Sequence, residues 1–368
     1  MLLVQADKDA ILKPLQAVTG IVERKHTLPI LSNVLIEITE GRLSFLATDL
    51  EVQITSVTTN TDVQHSAAVT ISAKKLQDIL RALPDGAIIS VETKDRRLQL
   101  TAGKSAFNLQ TLPAEDFPKL ALPDGFNAQV RISQKLLKHL FNQVQYAMAQ
   151  QDIRYYLNGL MLVIEEGSIK VVATDGHRLS LGGIDLDHGQ DRREIILPRK
   201  TVIEMVKLLS DSDEEVLIDI GRNLVMFSFA GINLVSKIIE GKFPDYNRVI
   251  PENYGNHMVI DRLALLQALQ RAAILSNERF RGVRLVLTQN NLRIICSNTE
   301  QEEAQEEMEI TYSGDPLDIG FNVTYLLDVL NNLDSKEVGC SFGDANSSCL
   351  ITIPGNNHFK YVVMPMRI

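Results

Sequence analysis

Asp175-Gly176-His177-Arg178 is the one cluster in this sequence with the makings of acid–base chemistry: a carboxylate, an imidazole and a guanidinium side by side. A general base needs a reacting proton within reach and a third group to orient it. A His and an Asp two residues apart have no such partner indicated, so the plainer reading is a turn at the end of a strand. An enzyme using Asp175 and His177 remains the alternative from the catalytic class. No Walker A loop, GxGxxG, HExxH or GxSxG occurs, and each of those chemistries needs its residues at that spacing. Cys296, Cys340 and Cys349 are odd in number and lack CxxC or ligand spacing, which fits a reducing compartment and no metal. The expectation is no catalytic residue, no metal and no cofactor.

The formal net charge is −9, which argues against a uniformly basic nucleic-acid surface. Net charge does not report distribution, however, and a protein that wraps DNA needs cations only on the wrapped face. Glu300, Glu302, Glu303, Glu306, Glu307 and Glu309 form an acidic run behind the apolar pair Ile274-Leu275. Nothing approaches the length of a membrane span, and the opening apolar run is too short for a signal peptide. A cytoplasmic protein is expected.

The elements that must position these residues recur. GRLSFLATDLEV from Gly41, GSIKVVATDGHR from Gly167 and NNLRIICSNTEQ from Asn290 each carry strict apolar alternation into a polar turn, the period of a half-buried strand. The alternating sets are Leu43/Phe45/Ala47, Ile169/Val171/Ala173 and Leu292/Ile294/Cys296. LSNVLIEI, LNGLMLVI and FRGVRLVL precede them, and Phe117-Pro118, Phe243-Pro244 and Met364-Pro365 close the units. Agreement of independent features at one domain-sized spacing means tandem domains. Each opens on a helix capped by Asp7, Ser133 or Asp261 and carries a second one from Ser72, Pro198 or Asn322. The layout is α+β with boundaries near 126 and 254: domains 1–126, 127–254 and 255–368.

At this point TLPILSNVLIE, RYYLNGL, VATDGHRLSL, SKIIEGKFPDYNRVIP, RAAILSNERFRGVRL, GFNVTYLLDVLN and the terminal YVVMPMRI resemble, in order and over the whole chain, the bacterial DNA polymerase III β subunit family, the sliding clamps. The resemblance implies three clamp domains, each of two βαβββ halves. It also implies a head-to-tail homodimeric ring with helices lining the hole. Such a ring encircles double-stranded DNA without reading sequence. It is placed there by an ATP-driven clamp loader and tethers the polymerase III α subunit, other polymerases and repair proteins through short hydrophobic motifs. The family is non-catalytic. A paralogue with altered partners is the alternative within it.

The resemblance also implies site residues. For DNA these are Arg24, Lys25, Lys74, Gln150, Gln151, Tyr155, Tyr156, Arg199 and Lys200, with Arg154 assisting. Lys8, Lys13, Arg131, Lys135, Lys138, Lys207 and Arg271 are further cations on helix faces and nearby turns, while Asp328 makes the third domain's second helix poor in positive charge. For the partner pocket they are Leu157, Thr174, Gly176, His177, Arg178, Leu179, Pro244, Arg248, Val249, Phe280, Asn322, Tyr325, Asn346, Ser348, Val362, Met364, Pro365, Met366 and Arg367. Asn346 stands where the family commonly has a small apolar residue, and Asn247 where a basic one is common. For the ring interface they are Lys75, Arg97, Lys104 and Phe107 of one copy against Ile274, Leu275, Glu302 and Glu303 of the other.

Overall fold

A computed structural model of the chain describes residues 2–23, 28–39, 41–59, 66–94 and 97–367. Its helices are α1 (Lys8–Thr19), α2 (Ala73–Ala82), α3 (Gln134–Val144), α4 (Arg199–Leu208), α5 (Arg262–Ala273) and α6 (Val323–Asn331). Five of them start at a side-chain cap. Asp7 Oδ1 accepts from Asp9 N at 2.8 Å, Asp261 Oδ1 from Ala264 N at 2.8 Å, and Asn322 Oδ1 from Thr324 N at 2.9 Å. Ser72 and Ser133 Oγ accept more weakly, at 3.5 and 3.4 Å, and α4 opens behind Pro198. These bonds satisfy amide groups that the first turn leaves without partners.

Every strand pairing among the described residues is antiparallel. The chain divides into two compact units, one within 1–137 and 203–238, the other within 138–202 and 239–368. The first holds a 12-stranded sheet. In it, Val52–Thr58 of the first repeat pairs with Ile232–Lys237 of the second, Ile54 opposite Leu234. The second unit holds a 9-stranded sheet, where Arg178–Asp185 of the second repeat pairs with Asn356–Val363 of the third, Leu179 opposite Val362. It also holds a 4-stranded sheet ending on Glu303–Glu309. Cross-repeat pairing is why the compact units cut through the central repeat.

Helices cover sheet faces through their apolar stripes. Ile11, Leu12, Leu15 and Val18 of α1 are buried, and α1 packs on α2 and on the strands Arg42–Thr48 and Val52–Thr58. In the third repeat α5 packs on α6, with Leu265, Leu269, Leu326 and Leu330 in the core. Burying each such side chain stabilises by roughly 1.5–3 kcal/mol. In α3, Leu137, Leu140, Phe141 and Val144 are buried while Leu136 is exposed. No helix among the described residues is long and apolar enough to cross a membrane.

Candidate functional site

The turn after the strand Ser168–Thr174 is built by its own polar atoms. Thr174 Oγ1 donates to Arg178 O at 2.6 Å and accepts from Gly176 N at 3.1 Å. Asp175 Oδ1 accepts from the backbone N of His177 and Arg178 at 2.9 and 3.1 Å. Gly176 takes φ +88°, which favours glycine, and a Cβ there would lie 2.9 Å from the Arg154 guanidinium, which would have to shift. The first repeat makes the same turn. Thr48 Oγ1 donates to Val52 O, Asp49 Oδ1 accepts from Glu51 N and Val52 N, and Leu50 holds φ 76°. Asn298 does likewise for Glu300 N and Glu302 N. Asp175 therefore carries a structural load shared by all three repeats. One of its oxygens is committed to backbone and the other to Arg178.

Arg178 is the centre of the site. Its side chain is 9% exposed, with Nε 3.1 Å from Asp175 Oδ2 and Nη1 2.6 Å from Asp328 Oδ2. Nη2 donates to Tyr146 O at 2.6 Å, and the guanidinium lies 4.4 Å over the Tyr325 ring. Burial opposes its charge, but Tyr361, Asp328 and Asp175 more than offset that and raise its pKa. Asp328, read from sequence only as leaving α6 poor in positive charge, is thus the counter-ion of a groove residue.

Beside this turn lies an open groove of about 230 Å³. Leu157, Leu179 and Val362 form a buried apolar floor, and Pro244, Val249 and Met364 an exposed apolar rim. Thr174, Gly176, His177 and Arg178 supply the polar end. The tail is held in place by backbone bonds from Met364 N to His177 O and from Met366 N to Gly320 O, at 2.9 and 2.8 Å. Arg154 and Tyr156, assigned from sequence to the DNA side, also line this groove. Arg154 bonds Asp152 and Asp175 O, and it holds the Asp152 carboxyl down at about 2.

The remaining pocket residues lie off the groove's lining. Asn322 caps α6, Tyr325 lies under Arg178, and Ser348 Oγ is 3.2 Å from Tyr254 OH. Arg248 pairs with Asp245 at 3.0 Å. Asn346 and Arg367 are exposed, Pro365 and Met366 half-buried, and Phe280 exposed beneath Arg279.

The expected DNA set divides. Arg24 and Lys25 lie outside the described residues. Lys74 and Lys200 occupy the second residue of α2 and α4, where α6 has Thr324. Arg199 Nη1 donates to Met148 O at 3.2 Å, and burial, then Arg178, lowers its pKa. Gln150, Gln151 and Tyr155 are exposed, and Tyr155 stands edge-on to Tyr156. Lys8 corrects the sequence reading. It is 5% exposed, donating to Leu83 O at 2.8 Å and pairing with Asp85 at 2.7 Å, so it buttresses the turn before the strand Ile88–Lys94. Arg131, Lys13, Lys207 and Arg271 are exposed but paired, with Glu215, Asp9, Glu204 and Glu306. Lys135 is exposed and Lys138 half-buried.

Of the interface residues, Ile274 is 77% exposed. Leu275 and Phe107 are half-buried, and Lys75, Arg97, Lys104, Glu302 and Glu303 are exposed. The cysteines are buried, and burial pushes the Cys296 thiol up to about 11 and raises Cys349, which makes both poor nucleophiles.

Three family models match: the N-terminal, central and C-terminal domains of the DNA polymerase III beta subunit, over residues 2–121, 131–245 and 247–367. The chain is 44% identical over 362 residues to the beta sliding clamp of Pseudomonas aeruginosa, covering 98% of each. Over 364 residues it is 42% identical to that of Escherichia coli K12, covering 98% of this chain and 99% of the other. A crystal structure of the DNA polymerase III subunit beta from P. aeruginosa superposes with a TM-score of 0.96 at 43% identity, covering 100% of both chains. Another from the same organism, bound to griselimycin, gives the same values.

Proposed function

This chain belongs to the DNA polymerase III β subunit family of sliding clamps, non-catalytic processivity factors, and from that premise we propose how it closes, what it holds and where. Two copies join head to tail into a ring around duplex DNA in the cytoplasm. One observation carries this: the outgoing strand of each repeat seeks the closing strand of the next. Val52–Thr58 meets Ile232–Lys237, and Arg178–Asp185 meets Asn356–Val363. In that pattern of outgoing and closing strands, two are left over. Glu303–Glu309 ends its sheet, and Ser105–Leu112 pairs on its far side only through Leu112 and Thr111. Unpaired edges are a template for further pairing, and a second copy supplies each with the partner the repeat calls for, closing a twofold ring. The edges differ in charge. Glu303, Glu307 and Glu309 lie on one, with Glu302 before it; Lys104 leads the other, with Arg97 and Lys75 as further cations of its domain. That favours correct pairing and orientation. Ile274, Leu275 and Phe107 form the apolar centre.

Inside the ring, Arg24, Lys25, Lys74, Gln150, Gln151, Tyr155, Arg199 and Lys200 touch phosphates and sugars without reading bases, which permits sliding. Tyr156 contributes to both sites. The groove floored by Leu157, Leu179 and Val362 takes short hydrophobic motifs of the polymerase III α subunit, the clamp loader, other polymerases and repair proteins. The remaining pocket residues form its approaches. The domains end near 126 and 254, in stretches without regular structure.

The test is topological. Clamp assembled by a purified loader and ATP on a nicked circle should stay bound through gel filtration and leave once the circle is cut. Equal retention on circular and linear DNA would overturn encirclement.

A further inference from the structure

The segment 241–250 crosses the face of the 9-stranded sheet as a strap, pinned by buried Phe243 and Tyr246. The motif groove lies on one side of it. On the other lies a second groove, of about 370 Å³, floored by Met161 and Ile196 and walled by Arg192, Glu194 and Lys242. Pro244 lines both grooves and is exposed, so it forms the saddle between them.

Most of the charges around the second groove are paired. Glu194 is neutralised by Arg192, at 2.6 Å, and Asp245 by Arg248, at 3.0 Å. Arg192 also reaches Glu165 at 2.7 Å. Lys242 has no ion-pair partner among the described residues and is exposed. With Glu194 and Asp245 each held by an arginine, Lys242 is the lining charge left for a ligand. The groove also borders Arg193–Pro198, the terminal strand of its sheet, whose outer edge is met by Ile239 N on Ile196 O and by no further strand among the described residues.

We propose that this groove receives an acidic, extended flank of the same partner segment whose hydrophobic motif fills the first groove, the chain passing over Pro244. The proposal rests on the motif-groove reading. The flank lies along the strand edge, as strand-adding peptides do, with a carboxylate on Lys242. An exposed ion pair of this kind changes affinity by about three- to fivefold and is screened by salt.

The experiment uses fluorescence anisotropy on the full chain with three labelled probes: a Leu- and Phe-based pentapeptide, the same peptide with an Asp-Glu-Asp flank, and the same with a Lys-Arg-Lys flank, each flank tried at either end. The acidic flank, at one end, should tighten binding about three- to fivefold at low salt, and about 0.5 M salt should abolish the gain. Lys242→Glu should remove that gain while leaving the unflanked peptide unchanged. Equal binding of flanked and unflanked peptides, or an undiminished gain in Lys242→Glu, overturns the proposal while the motif groove stands. If the unflanked peptide fails to bind, or binds equally well to Met364→Asp, the motif-groove reading falls and takes this proposal with it.

Discussion

At Arg178, five hydrogen-bond donors meet two carboxylates and a carbonyl in a place where only 9% of the side chain reaches water. Removing the guanidinium leaves Asp328, Asp175 and Tyr146 O without their partner, and a partly buried charge left alone is more costly than the pair was favourable. Arg178→Ala should therefore lower the stability of the second and third repeats by about 2–4 kcal/mol in urea unfolding, and abolish motif-peptide binding. Arg178→Lys keeps the charge but not the planar fork, so it should recover less than half of that stability. A variant as stable as the parent would show the network to be dispensable. Part of this was legible in sequence. Thr174, Asp175 and Gly176 read as a strand-end turn because the first repeat carries Thr48 and Asp49 in the same slot. The pairing of Arg178 with Asp328, which lies in the next repeat, left no trace, because no local pattern links a turn to a helix that far along the chain. Arg154 escaped for the same reason: its place under Gly176 depends on how residues 150–156 fold back.

Helices and strands were the most legible scale, since their periods are set by geometry rather than by neighbours. All three opening caps named from sequence accept the expected amide, and the alternating triplets Leu43/Phe45/Ala47, Ile169/Val171/Ala173 and Leu292/Ile294/Cys296 are all buried. Failures came where a side chain answers to tertiary context. Lys8 begins α1 on what the helical period marks as a polar face, yet the turn Pro84-Asp85-Gly86 reaches over and buries it. Pro14 sits inside α1, where its ring removes one helical bond to Ala10, and packing on two strands and α2 carries the helix through. A cap tests how far local bonds still matter in such a packed element. Asp261→Ala removes a 2.8 Å acceptor at the start of α5 and should cost about 1 kcal/mol, read as a shift in the denaturation midpoint at unchanged slope. No shift would mean that packing alone fixes where α5 begins.

For the molecule as a whole, the decisive feature is the mismatch between three repeats and two internal seams. Each seam is a strand pairing backed by side chains, as where Lys237 pairs with Glu51 at 3.1 Å beside the first and His358 with Asp185 at 3.2 Å across the second. A chain with three similar repeats has one outgoing and one incoming edge left, and only association with another copy satisfies both. Sequence alone exposed the threefold repeat and the acidic run. It could not show which strands end their sheets, since edge and central strands share the same alternation. Ile274, 77% exposed at the end of α5, has the exposure of a residue awaiting a partner rather than a core position. Ile274→Ala with Leu275→Ala removes apolar area from the proposed closing contact while leaving the strand edges and the charges intact. Light scattering across a dilution series should then give the 41.0 kDa chain mass, where the parent gives twice that. Added salt should weaken the parent dimer as well, because Glu302 and Glu303 are exposed and screened. If the double variant stays dimeric down to sub-micromolar concentration, the apolar centre lies elsewhere and closure rests on strand pairing and charge alone. Charge reversal at Glu303 and Glu307 would then be the substitution that opens the ring.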